Sequence, residues 1–150
     1  MLVYLSGPID NSTKAIFEHC KSWRIASTKH LKEFEIGTRD PLRGGIHPVV
    51  GKSLDSIPAP PASIVARDRM DIADSDLILV YWPEASNKRG IGTLMEIALG
   101  HDRGKPIILV DPGNLVAEHP WIQNCVTEVF PNLTLAWDSI TEYWRCDDER

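Results

Sequence analysis

Two carboxylates bracket one apolar run. Asp68 stands eight residues before Asp76, ahead of the run Leu77–Trp82 (LILVYW), and Glu96 follows it, beyond the polar loop PEASNKRGIG. Two acids brought together at the end of a parallel strand are what glycosidic-bond chemistry needs: one attacks or activates, the other manages the proton of the leaving group. Each has a plainer reading. Thr93-Leu94-Met95-Glu96 fits the S/T-x-x-E capping box, in which Glu96 only accepts the Thr93 amide hydrogen and stabilises a helix start. In the chemical reading, the helix dipole keeps a first-turn carboxylate ionised and fit to attack an anomeric carbon. Asp68 belongs to an ion-rich run with Arg67, Arg69, Asp71 and Asp74, and most charges on such a helix do nothing specific. It lies four residues from both Ile64 and Ile72, however, and so falls on the apolar face. Half-burial raises a carboxyl's pKa and suits proton exchange with a leaving base.

Other candidates are weaker. Tyr4 sits in an apolar strand, where a tyrosine is ordinarily core with a satisfied hydroxyl; at a strand end that opens into a site, it could hydrogen-bond a catalytic carboxylate. Gly90 and Gly92 allow close backbone approach, and a helix start behind them favours an anion. Lys88 and Arg89 beside them suit a phosphate, although an exposed basic loop is the commoner fact. His47, His101 and His119 have no metal-ligand spacing, so no metal is expected. No serine occupies a G-x-S-x-G elbow, which leaves a hydrolase triad unsupported.

The elements that must position these residues alternate. Leu2–Leu5 reads as a buried strand closed by Ser6-Gly7-Pro8, and Asn11-Ser12-Thr13 offers N-cap oxygens to a helix. That helix carries Ile16, Cys20, Trp23, Ser27 and Leu31 on one stripe and ends near Lys32 or Glu33. Phe34–Thr38 is a candidate second strand. Asp40–Pro61, rich in Pro and Gly, is a long loop, either ligand-bearing or a plain connection. Ala62–Asp74 is helical with Ile64, Val65 and Ile72 apolar, Leu77–Trp82 a central strand, Thr93–Asp102 a helix, and Pro106–Val110 a strand. His119–Cys125 suits a short helix and Thr127–Phe130 a last strand, while Asn132–Tyr143 fits either helix or strand. Strands alternating with helices predict one α/β domain over residues 1–150, a parallel sheet covered on both faces. Ligands in such folds sit at the carboxyl ends of strands, beside the switch in strand order. Three loops compete for the site, those after Leu5, Thr38 and Trp82.

Bulk properties fit this picture. The chain has 150 residues, 43% hydrophobic and 25% charged, enough for a real core. A net charge of -5 argues against a nucleic-acid backbone binder but leaves room for a small phosphorylated ligand. Cys20, Cys125 and Cys146 have no metal or redox spacing and read as free thiols in a reducing cytoplasm. No signal peptide and no apolar run long enough to span a bilayer is present, so a cytoplasmic protein without membrane contact is expected.

In order and spacing, Tyr4-Leu5-Ser6-Gly7-Pro8-Ile9, then Asp68, Gly92-Thr93 with Glu96-Ile97, and Gly104-Lys105-Pro106-Ile107 resemble the nucleoside 2-deoxyribosyltransferase family, which includes deoxynucleoside 5'-monophosphate N-glycosidases. The resemblance covers Val3 to about Val110, and its specificity lies in the combination rather than in any one motif. It implies a Rossmann-like or flavodoxin-like five-stranded parallel sheet with helices on both faces, and a double displacement without cofactor. Glu96 matches the nucleophile that attacks C1', Asp68 the acid that helps the base leave, and Tyr4 the tyrosine that orients the glutamate. Gly7 and Ile9 fall where the first loop borders base and sugar. The partners implied are a deoxynucleoside or deoxynucleotide and an acceptor base, and the family's habit implies a homo-oligomer, dimer or larger, whose neighbour closes the site.

One position departs from the pattern. The family's transferases tend to carry an acid six residues before the nucleophile and its monophosphate hydrolases a serine; here the residue is Gly90, with Ser86 a substitute if the loop runs longer. Transfer, hydrolysis of a 5'-monophosphate, and nucleotide binding without catalysis therefore stay open, with Lys88 and Arg89 favouring a nucleotide.

Overall fold

The computed structural model describes residues 1–45, 49–52, 57–84 and 90–145. Five strands form one parallel sheet: β1 (Leu2–Ser6), β2 (Gly37–Arg39), β3 (Leu77–Tyr81), β4 (Ile107–Val110) and β5 (Glu128–Phe130). Between them run α1 (Lys14–Lys32), α2 (Pro61–Asp74), α3 (Ile91–Asp102) and α4 (Pro120–Cys125), with α5 (Leu133–Ser139) continuing into a π-helical segment, Ile140–Trp144. The strand order is β2-β1-β3-β4-β5, the flavodoxin-like order, which reverses between β1 and β3.

Alternation of side chains along each strand divides the core into two layers. Val3 and Leu5 of β1, with Leu77, Leu79, Ile108 and Val110, pack under Trp23 and Leu31 of α1 and Ala136 of α5. Tyr4, with Ile78, Val80, Ile107 and Leu109, faces Ile72 of α2, Ile97 of α3 and Ile122 of α4. The strands β3 and β4 are apolar on both faces because both are covered.

Local chemistry sets the boundaries. The Thr13 hydroxyl accepts the Ile16 amide and starts α1. The second strand is shorter and later than Phe34–Thr38. After α1 ends, Glu35 takes a left-handed φ of 60° and the Ile36 amide returns to Leu31 O, so residues 33–36 close the helix instead of entering the sheet. Asn132 Oδ1 accepts the Leu135 amide, which decides Asn132–Tyr143 in favour of helix. Lys105 caps α2 from outside, its Nζ 2.9 Å from Ala73 O and 2.6 Å from Ser75 O. No helix among the described residues is long and apolar enough to cross a membrane.

Candidate active site

Tyr4 and Ser6 alternate along β1 and so share the face turned toward α2 and α3. Both are fully buried. Tyr4 Oη donates to Glu96 Oε1 at 2.8 Å, and Ser6 Oγ donates to Glu96 Oε2 at 2.5 Å. The carboxylate of α3 is thus held by one hydroxyl on each oxygen, across some ninety residues of sequence.

The capping box at Thr93 is not formed. The helix begins at Ile91, two residues earlier than expected, and Gly90 is its N-cap with a φ of 60°. That left-handed conformation suits glycine, and a Cβ at position 90 would lie 2.3 Å from the Trp82 ring. Thr93 is therefore inside the first turn and Glu96 in the second, where the helix dipole has already weakened. What stabilises the Glu96 carboxylate is the pair of β1 hydroxyls. Burial pushes its pKa up; the Ser6 and Tyr4 hydrogen bonds pull it back down, and the charge of Asp68 adds to the rise. Tyr4 is itself raised, first by burial and then by the Glu96 charge, which keeps its proton on oxygen as a donor.

Asp68, on α2, is half-buried and faces the same cavity. Its Oδ1 is buried without a hydrogen-bond donor, the nearest cation being Arg67 Nη2 at 3.6 Å. Burial raises its pKa, with Arg67 opposing and Asp71 reinforcing. A carboxyl with a raised pKa holds its proton to higher pH than an ordinary aspartate, which suits a proton donor.

All three competing loops line one cavity of about 540 Å³. Gly7, Pro8 and Ile9 come from the loop after β1, Pro41 from the loop after β2, and Gly90, Ile91, Gly92 and Thr93 from the stretch after β3 and the start of α3. Ile64, Val65 and Asp68 of α2 and Glu96 of α3 complete it. A second hollow of about 400 Å³ between α2 and α3 shares Val65, Asp68, Gly92 and Glu96 and adds Arg69 and Met95. Val65, expected inside, is 57% exposed and forms a wall instead of core.

The loop after β2 is fastened to α2. Arg43 grips Asp71 bidentately, at 2.6 and 2.8 Å, and Arg67 donates to Pro41 O. In the first loop, Asn11 Nδ2 donates to Val49 O and Lys52 O, at 2.8 and 2.9 Å. The residues singled out from sequence thus fall in three groups. Glu96, Asp68, Gly7, Ile9, Gly90 and Gly92 line the cavity, and Tyr4 meets Glu96 beneath it. Ser86, Lys88 and Arg89 lie outside the described residues, as do His47 and Cys146. Ser6 was missed; the signal available was its place two residues beyond Tyr4, hence on the same face.

No family model matches the chain, and no curated protein matches it in sequence. Solved structures do match it in fold. A 2-deoxyribosyltransferase from Bacillus psychrosaccharolyticus superposes with a TM-score of 0.65 at 17% identity, over 95% of this chain and 92% of the other. This chain has a deoxyribosyltransferase fold. A conserved protein from Enterococcus faecalis V583 gives a TM-score of 0.65 at 14% identity, over 94% of this chain and 97% of that one. The CMP N-glycosidase of Clostridium botulinum gives 0.59 at 16% identity, over 95% and 99%. The resemblance drawn from the residue pattern and the likeness of fold therefore point to the same group. On this deoxyribosyltransferase fold, the Glu96 carboxylate stands at the point where the strand order reverses, beside the carboxyl end of β1.

Proposed function

We propose that the protein is an enzyme that cleaves the N-glycosidic bond of 2'-deoxynucleosides or their 5'-monophosphates and passes the deoxyribosyl group to a second base. The observation that carries this reading is the Glu96 carboxylate, held on both oxygens by Tyr4 and Ser6, facing one cavity with the half-buried acid Asp68. A Glu96 oxygen attacks C1' as the C1'–N bond breaks, and the bonding pair leaves with the base. Asp68 gives its proton to the departing base nitrogen. In the second half, a nitrogen of an acceptor base attacks C1', the ester to Glu96 breaks, and the acceptor's proton returns to Asp68. Only side-chain carboxyls take part in proton and group transfer, so no cofactor is required. The apolar wall of Pro8, Ile9, Pro41, Ile64 and Ile91 suits the flat face of a base and the carbon edge of a sugar.

Hydrolysis of a 5'-monophosphate is the second reading. Gly90 leaves it open, since neither the acid that the family's transferases tend to carry at this position nor the serine of its monophosphate hydrolases is present. Water then takes the place of the acceptor base in the second displacement.

The test is incubation with a panel of deoxynucleosides and deoxynucleotides, with and without an acceptor base, followed by chromatography for free base. Base release that depends on the acceptor supports transfer, and free sugar phosphate without one supports hydrolysis. A deoxyribosyl adduct on the Glu96 peptide, found by mass spectrometry after a rapid quench, supports the covalent step. Full turnover by Glu96→Gln would remove the mechanism, and a bound deoxynucleotide with no base released over long incubation would leave a binding module.

A further inference from the structure

Arg24, on α1, is fully buried. A cation without water is costly unless its donors find partners and a counter-charge stands close. Its Nη1 donates to Cys20 O at 2.6 Å and its Nη2 to Gly7 O at 2.8 Å. Its Nε stands 3.6 Å from Asp40 Oδ1 without a hydrogen bond, and the guanidinium carbon lies 4.4 Å from the centre of the Trp23 ring. These contacts lead to two walls of the cavity. Gly7 opens the loop after β1, and Asp40 precedes Pro41 in the loop after β2. Cys20, whose carbonyl Arg24 holds, also donates its thiol to Pro8 O at 3.4 Å.

The link to the carboxylate is short. Gly7 directly follows Ser6, and Ser6 holds Glu96 Oε2. Gly7 has no room for a side chain: a Cβ there would lie 2.6 Å from Tyr81 O, 3.1 Å from the Trp23 ring and 3.5 Å from Arg24 Nη2. Neighbouring residues at one strand end thus join a buried cation on one face of the sheet to a carboxylate on the other.

We infer that Arg24 is a positioning residue for Glu96: its planar fork ties the Gly7 loop to α1, Asp40 balances its charge, and that buried positive charge favours the ionised carboxylate. This rests on reading Glu96 as the nucleophile. Glu96 meets Tyr4 and Ser6 of β1 and shares its cavity with Asp68 of α2, whose charge raises its pKa, while the Arg24 charge, across the sheet on α1, lowers it. Beside Arg24 stand Asp40 and Cys20, and the charge of Glu96 reaches it from the other face. A lysine would carry the charge but could not span two carbonyls in a plane, so charge and geometry can be separated.

The experiment follows the carboxyl ¹³C resonance of Glu96 against pH in glutamate-labelled protein, assigned by its loss in Glu96→Gln. It is paired with kcat and KM across pH on whichever deoxynucleotide the wild type cleaves. Arg24→Met should raise the Glu96 midpoint by about one unit and carry the acidic limb of activity upward with it. Arg24→Lys should leave the midpoint in place while lowering kcat/KM by about 10²-fold through misplaced walls. Asp40→Asn, which keeps an acceptor for the Leu42 amide, should lower the midpoint. If Arg24→Met does not fold, the other two decide. Wild-type kcat/KM in Arg24→Lys together with a wild-type midpoint in Asp40→Asn overturns the inference. A wild type that releases no base strikes the functional reading instead, and the NMR midpoints still judge this one.

Discussion

Tyr4→Phe removes one oxygen from the face of β1 and leaves the ring in its core layer. That oxygen donates to Glu96 Oε1 at 2.8 Å, while Ser6 keeps Oε2 at 2.5 Å. A hydrogen bond to an ionised group contributes about 1.5–3 kcal/mol, and about 1.4 kcal/mol corresponds to one pKa unit. The hydroxyl stabilises the charged form only, so its loss raises the Glu96 midpoint by about one to two units. Burial already holds that midpoint above the ordinary glutamate value. A nucleophile must be ionised, so the acidic limb of activity moves to higher pH by the same amount. At a pH below both midpoints the rate falls by about 10- to 100-fold relative to wild type, and about one unit above the wild-type midpoint by about 2- to 10-fold. Ser6→Ala acts in the same direction, and the double variant exceeds either. The assay is base release against pH for the wild type and the three variants, with circular dichroism to establish folding. A folded Tyr4→Phe enzyme with an unmoved limb and an undiminished rate would refute the reasoning, because the hydroxyl would then contribute nothing to the charged state.

Three further outcomes follow from the same geometry. Glu96 has a raised pKa, so its contribution to stability is present below the unfolded-state glutamate value and lost as pH rises through the folded-state value; Glu96→Gln should therefore melt higher than wild type at neutral pH, by about 2–4 °C per kcal/mol relieved, with the gain gone in acid. Asp68 is also raised, and as the proton donor it is lost as pH rises; Asp68→Asn should lower kcat by about 10²–10⁴-fold, abolish the alkaline limb, and lose least with substrates whose base leaves most easily, all read from rate against pH. Gly90→Ser should cost about 2–5 kcal/mol in urea titration, from a left-handed backbone and overpacking against Trp82, and a companion Trp82→Leu should recover the packing part.

The parts of the fold legible in sequence were those whose signal is local. Leu77–Tyr81 and Ile107–Val110 are continuous apolar runs, and the structure buries them on both faces. Thr13 announced α1 by its hydroxyl. Two boundaries were displaced for one reason, a residue with positive φ. Glu35 spends Phe34–Ile36 on closing α1 and delays β2, and Gly90 starts α3 before the threonine that imitates a cap. Glutamate is an uncommon choice for that conformation, which is why Glu35 gave no warning. The cavity's acids were legible because Asp68 sits on an apolar stripe and Glu96 ends a motif. Ser6 and Arg24 were not. A serine at the end of an apolar strand reads as the start of a turn, and an arginine beside a helical stripe reads as solvated. Only the pairing of β1 with β3 and the packing of α1 and α3 on opposite faces give each its partner.

The displaced helix start bears directly on how the site works. A carboxylate that capped its own helix would have its best acceptor directions occupied by an amide of the same segment. With Gly90 as the cap, the Thr93 amide lies inside the first turn and both Glu96 oxygens turn to β1. The Glu96 carboxylate is then held by the β1 hydroxyls rather than by the start of α3. The same glycine limits what position 90 can do. Trp82 fills the space into which a side chain there would project, at 2.3 Å from the would-be Cβ. Discrimination between substrates in this chain therefore cannot rest on a side chain at residue 90. On the proposed reading, the described residues that can supply it are the cavity walls beside Arg24 and Arg43 and the backbone of Gly90–Gly92.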